Sequence, residues 1–151
     1  MKNVAREFLL RLLYFFFLIL NFYFLLAAVA VPQDKRSLDL RLRTKRFALQ
    51  IVRFFPQLPK TAEAQVLGKQ LLRAATSVGA NYREAHRGRS KPEFIAKCGD
   101  SLRELEESAY WLELLSDAGI TGPAQVEPLS KECDELISIF VTILKRSKEN
   151  L

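Results

Sequence analysis

A chain with a single histidine has little means for acid–base chemistry, and His86 is the only histidine present. No nucleophile stands at a spacing from it that marks a catalytic pair. A di-iron bundle needs Glu-x-x-His pairs from two helices, which one histidine cannot supply. One histidine and two cysteines also exclude most zinc sites and a disulfide framework. Glu104, Glu106 and Glu107 form a run of carboxylates that reads as an exposed helix face. The chain is therefore expected to be non-enzymatic, with no catalytic residue, metal, cofactor or small-molecule substrate. What remains is binding. Arg83, His86, Arg87, Arg89 and Lys91 cluster with Glu84 as their only acid. Arg41, Arg43, Lys45 and Arg46 make a second basic set. Guanidinium forks hold phosphates bidentately, so these positions are the expected contacts to RNA or DNA backbone. A merely solvated basic corner is the alternative reading of the same residues.

The elements that carry these groups follow from patterning. Apolar residues make up 49% and charged residues 26% of 151 residues, a globular balance rather than a disordered one. The net charge of +6 suits an anionic partner without requiring one. Four amphipathic stretches follow the polar break Pro32-Gln33-Asp34-Lys35-Arg36. The first, about 37–55, repeats Leu40, Phe47, Ala48, Ile51 and Phe55 at helical spacing and ends where Pro56 and Pro59 interrupt. In the second, about 61–85, Leu67, Leu71, Ala74, Val78, Tyr82 and Ala85 form a seam. Its small residues, Gly79 among them, would admit a neighbouring helix closely. Gly88 is expected to stop this helix, and Ser90 with Glu93 has capping-box spacing for the next. The third stretch, about 91–117, carries Ile95, Cys98, Leu102, Leu105, Ala109, Leu112 and Leu115 on one line and stops at Gly119. The fourth, about 124–148, carries Val126, Leu129, Cys133, Leu136, Ile137, Phe140, Ile143 and Leu144. Short connections predict an all-α, up-and-down antiparallel four-helix bundle over 38–149.

Cys98 and Cys133 lie on apolar lines and are expected as buried thiols. Counted from the turn near Ile120, they differ by roughly ten residues, or ~15 Å along antiparallel helices. A disulfide needs Cα atoms within ~7 Å, so no intrachain bridge is expected. That favours a reducing compartment.

Residues 1–31 are different in kind. Leu12 to Val31 is apolar except for Asn21, long enough to cross a hydrocarbon core of ~30 Å as a hydrophobic helix. Three readings stand open. Lys2, Arg6 and Arg11 with Ala28-Val29-Ala30 fit a signal peptide. The basic residues after the run fit an uncleaved anchor with the following domain inside. A start assigned too far upstream fits as well, Met1 being the only methionine. The expected organisation is a hydrophobic segment 1–31, a polar linker 32–37 and the bundle domain 38–149. The domain is expected in the cytoplasm, or membrane-anchored through residues 12–31 if the N-terminus is translated as given.

The segment from Lys69 to Ala85, KQLLRAATSVGANYREA, resembles the signature of the bacterial four helix bundle protein family, also called the 23S rRNA intervening-sequence protein family. The likeness continues through Ser90, Glu93-Phe94-Ile95, Ser101 to Glu107, Tyr110-Trp111-Leu112 and Leu115, and covers about 38–149. The family is similar to the accessory proteins of diversity-generating retroelements, pentameric barrels of bundles that bind nucleic acid and a reverse transcriptase. The resemblance implies a non-enzymatic, self-associating bundle, with a pentamer as the suggested assembly. Residues 1–31 depart from the family pattern. The expected function is an interaction protein contacting nucleic acid or a nucleic-acid-associated protein. A membrane-tethered bundle acting as a protein scaffold is the alternative.

Overall fold

The computed structural model describes residues 33–149, with side chains from Asp39 onward. The hydrophobic helix expected before the bundle, and with it the anchor, signal and start-site readings of 1–31, lies outside the described residues. Among the described residues no helix is long and apolar enough to cross a membrane, and no strand occurs. The chain divides into two compact units, Met1–Leu38 and Asp39–Leu151, and the core belongs to the second.

Four α-helices make up the described chain: α1 (Gln33–Phe54), α2 (Ala62–Ala85), α3 (Lys91–Asp117) and α4 (Pro123–Glu149), with a 3-10 turn at Phe55–Gln57. Helix α1 begins inside the stretch read as a polar break, because charged and amide side chains interrupt hydropathy without breaking a helix. Thr61 caps α2, its hydroxyl accepting from the Ala64 N–H at 3.4 Å. Ser90 caps α3 by accepting from the Glu93 N–H, while the Glu93 carboxylate reaches back to the Arg89 N–H at 2.7 Å. The stop of α2 is not built as expected. The helix ends at Ala85, and Gly88 keeps ordinary backbone angles after a tight turn. Left-handed backbone occurs instead at Gly119, φ 66°. There the Ile120 N–H donates to the Leu115 carbonyl and the Gly119 N–H to Ser116, a Schellman closure of α3.

Alternating direction sets the packing. Helix α1 meets α2 where Thr44 Oγ1 faces Gly79, 3.4 Å from where a Cβ would stand. It meets α4 where Arg43 pairs with Glu132. Helices α2 and α3 meet at Ser101, whose hydroxyl lies 3.2 Å from the Val78 carbonyl. Helices α3 and α4 meet at Cys133, whose thiol donates to the Leu105 carbonyl at 3.2 Å. Phe47, Ile51, Leu71, Val78, Leu105, Leu112, Leu115, Leu136 and Phe140 are fully enclosed. Each contributes roughly 1.5–3 kcal/mol by leaving water. Both thiols are buried and unbridged, and burial pushes each up to about 12.

The inner line of α1 is Leu40, Thr44, Phe47, Ile51 and Phe54. Phe54 takes the place of the expected Phe55 because it continues the four-three spacing of the inner line, three residues after Ile51, while Phe55 opens the 3-10 turn. Phe55 instead lies over Gly68, where a Cβ would fall 2.9 Å from its ring and 2.6 Å from Leu58. Thr44, Ser101 and Ser108 are buried without cost to hydrogen bonding, since each donates to a carbonyl one turn earlier in its own helix.

Candidate nucleic-acid interface

The corner between α2 and α3 is organised around a ladder of rings. Tyr82, buried in α2, meets Phe140 of α4 edge-on at 5.2 Å. His86, one turn further, meets Tyr82 at 4.8 Å and Phe94 of α3 at 5.8 Å, both near perpendicular. Such edge-to-face contacts stabilise the corner while the His86 side of the ladder remains at the surface. Burial raises the Tyr82 phenol to about 12, so it stays neutral there. His86 is thus a ring contact of the corner.

The arginines on the expected site take different roles. Arg83 is half-buried, and its guanidinium donates to the Gly79 carbonyl at 2.8 Å and the Arg41 carbonyl at 3.5 Å. It braces α2 against α1. Arg41 is half-buried beside it. Arg43 grips Glu132 with two hydrogen bonds, 2.7 and 2.9 Å, and also pairs with Glu135. The hydrogen bond to Glu132, foremost among several effects, raises its pKa above the ordinary arginine value. With both partners from α4 partly solvated, the pair is worth about 1 kcal/mol or less. Arg43 is therefore an internal clasp between α1 and α4. Its donors are aimed at carboxylates of this chain.

Arg87, Arg89 and Lys91 stand exposed at the corner, and Lys45 and Arg46 stand exposed along α1. The corner's acid, Glu84, is answered by Lys97, Nζ to Oε2 2.6 Å, so it does not offset the corner's charge. The hydrogen bond to Glu84 in turn raises the Lys97 pKa.

Topology adds three cations that local reading could not. Helices α2 and α4 run the same way, and Tyr82 and Phe140 lie at one level. Five residues on in each segment stand Arg87, in the turn that follows α2, and Lys145, one turn from the finish of α4. Arg146 and Lys148 complete the last turn. The Arg41 turn of α1 lies at the same end, tied through Arg83. Against them stand Asp39, Glu93 and Glu149, with Glu93 engaged as a cap. Among the described side chains, the end formed by the Arg41 turn of α1, the α2–α3 corner and the finish of α4 is therefore basic. It presents phosphate-binding groups from several elements around one aromatic ledge.

Glu104 and Glu107 differ from the expected exposed face. Both turn toward Arg73 of α2, and Glu107 also accepts from the Trp111 indole N–H at 3.1 Å. Burial raises the Glu104 pKa, and its Oε2 has no hydrogen-bond partner. Glu106 alone of the three is exposed. Among the described residues no group of histidine, cysteine or carboxylate side chains is placed to hold a metal ion.

A family model described as 23S rRNA-intervening sequence protein matches residues 36–142. A solved structure is also similar: a protein of unknown function from the S23 ribosomal protein family of Bacteroides thetaiotaomicron VPI-5482, determined at 1.70 Å resolution. It is 34% identical, with a TM-score of 0.66, and the match covers 70% of this chain and 97% of that one. No curated protein matches the chain.

Proposed function

Since the chain belongs to the 23S rRNA-intervening sequence protein family, matched over 36–142, we propose that it is a non-enzymatic helical interaction protein that associates with copies of itself and holds nucleic acid by its phosphates. The observation that carries this reading is the meeting of exposed cations at one end: Arg87, Arg89 and Lys91 from the corner, Lys145 and Lys148 from α4. Backbone phosphates fit these groups better than bases do. Tyr82, His86, Phe94 and Phe140 at this end pack edge-on against one another, which supports phosphates rather than bases as the main contact. Binding is thus sequence-tolerant and salt-sensitive. Repetition of the end in an assembly multiplies a weak contact by avidity, so the modest charge of one copy suffices.

The test is binding of the full chain to labelled RNA and DNA oligonucleotides across a salt series. Reversing Arg87 and Arg89 to Glu abolishes the salt-sensitive binding while the far-ultraviolet circular dichroism stays helical. Unchanged binding of the reversed protein rejects the assignment of this end.

A further inference from the structure

Helix α1 carries a second seam. Leu42, Leu49 and Val52 are 46%, 39% and 44% exposed, and with Lys45 they follow a three-four-three spacing on the side turned away from the core. That is the pattern of a helix meant to be gripped on two faces. Arg46 and Arg53 flank the seam, and no Asp or Glu occurs between Leu40 and Phe54. Helix α3 shows the opposite character. Glu106, Tyr110, Glu113 and Asp117 are exposed at the same heptad spacing, and no Lys or Arg occurs from Glu104 to Gly122. Tyr110 is 52% exposed with its ring 5.0 Å from that of Trp111, a fixed aromatic on an acidic surface.

We propose that the outer seam of α1 on one copy docks on the outer face of α3 on a second copy. Leu42, Leu49 and Val52 pack about Tyr110, and Lys45, Arg46 and Arg53 meet Glu106, Glu113 and Asp117. The two strips match in extent: Leu42 to Val52 spans ~15 Å and Glu106 to Asp117 ~16.5 Å. Exposed tyrosine and aliphatic side chains supply an apolar centre, and the charges supply orientation and selectivity around it.

The placement of the two helices decides what such a contact builds. Helix α1 touches α2 at Gly79 and α4 at Glu132, and both of those touch α3. Helices α1 and α3 are therefore diagonal in the bundle, and their outer faces look in opposed directions. A contact between two unlike, opposed faces leaves one of each open and propagates, closing as a ring where the rotation permits. This inference rests on the self-association proposed above and names the surfaces that make it. It does not depend on nucleic acid.

Two charge-reversed proteins test it. One carries Lys45→Glu, Arg46→Glu and Arg53→Glu, the other Glu106→Lys, Glu113→Lys and Asp117→Lys, all at exposed positions. The full chain is studied by sedimentation velocity in mild non-ionic detergent, so that the apolar run from Leu12 adds no association of its own. Circular dichroism confirms that each variant is folded. The expected result is assembly of the unaltered chain and monomers for either variant alone. Mixing the two variants restores association between unlike chains, because each then offers the other opposite charge on both faces, in open alternating chains or rings of even number, since a ring of five cannot alternate throughout. Placing both sets in one chain also restores it. Assembly of the unaltered chain that survives both reversals overturns the surface assignment and leaves self-association standing. An unaltered chain that stays monomeric at all concentrations overturns both.

Discussion

Lys145 and Lys148 offer the sharpest test of the basic end, because only the packing of the bundle brings them there. Exchanging both for Gln removes two cations from the last turn of α4, where both are exposed. Each phosphate contact adds about 0.7 to the slope of log affinity against log salt for a single strand, so the pair accounts for about 1.4. Between about 50 and about 200 mM salt, the unaltered protein should lose about sevenfold more affinity than the variant. The comparison protein carries Lys60→Gln and Lys69→Gln, an equal change of charge at exposed sites. Lys69 lies sixteen residues before Ala85, ~24 Å along α2 from the corner. That is about three screening lengths at 0.15 M salt, so the second variant should keep the original slope. Fluorescence anisotropy with a labelled single-stranded RNA reads both slopes. Equal reductions in the two variants would mean that net charge alone governs binding. No reduction in the first would mean that the end of α4 is not part of the interface.

Two further outcomes follow from the packing. Gly68→Ala should destabilise by about 1 kcal/mol in urea unfolding, since crowding against Leu58 and Phe55 outweighs a gain of ~1 kcal/mol in helix propensity. Gly99→Ala, with nothing within 4 Å of the added carbon, should stabilise by roughly 0.5–1 kcal/mol, and the same sign for both would refute the close approach. The thiols of Cys98 and Cys133 are held near 12 in the fold, so the folded state keeps protons that the unfolded state loses above its ordinary thiol range. Stability is fully present below pH ~9 and falls above it by up to ~1.4 kcal/mol per pH unit for each thiol. A Cys98→Ala, Cys133→Ala protein should show a shallower decline between pH ~9 and ~11 in denaturant titrations.

The helices are legible in the sequence because local signals and core pattern agree. Ser90 and Gly119 bracket α3 at Lys91–Asp117, as its sequence suggests. Hydropathy misses Thr44, Ser101 and Ser108, because a hydroxyl satisfied by its own helix buries as readily as a methyl group. It also suggests a break from Gln33 to Arg36, because a polar run lowers hydropathy without containing a helix breaker. The basic corner is legible as a cluster of neighbours in sequence. The division of labour within it is not. Arg43 finds its carboxylates 89 and 92 residues away, and Arg83 finds the Arg41 carbonyl 42 residues away. The signal for Lys145, Arg146 and Lys148 is present in the count of antiparallel elements, which returns the chain's last turn to the second corner. Glu104 and Glu107 read as solvated because Arg73 lies on a different helix.

The concentration of cations at one end also fixes how much of a polymer each copy occludes. A bundle standing upright on a strand covers only its own cross-section, two helix diameters or ~20 Å. At 3.4 Å per duplex step that is a footprint of about six base pairs. A molecule lying along its long axis would shadow roughly twice that length. Saturation stoichiometry on oligonucleotides of graded length therefore reports posture directly.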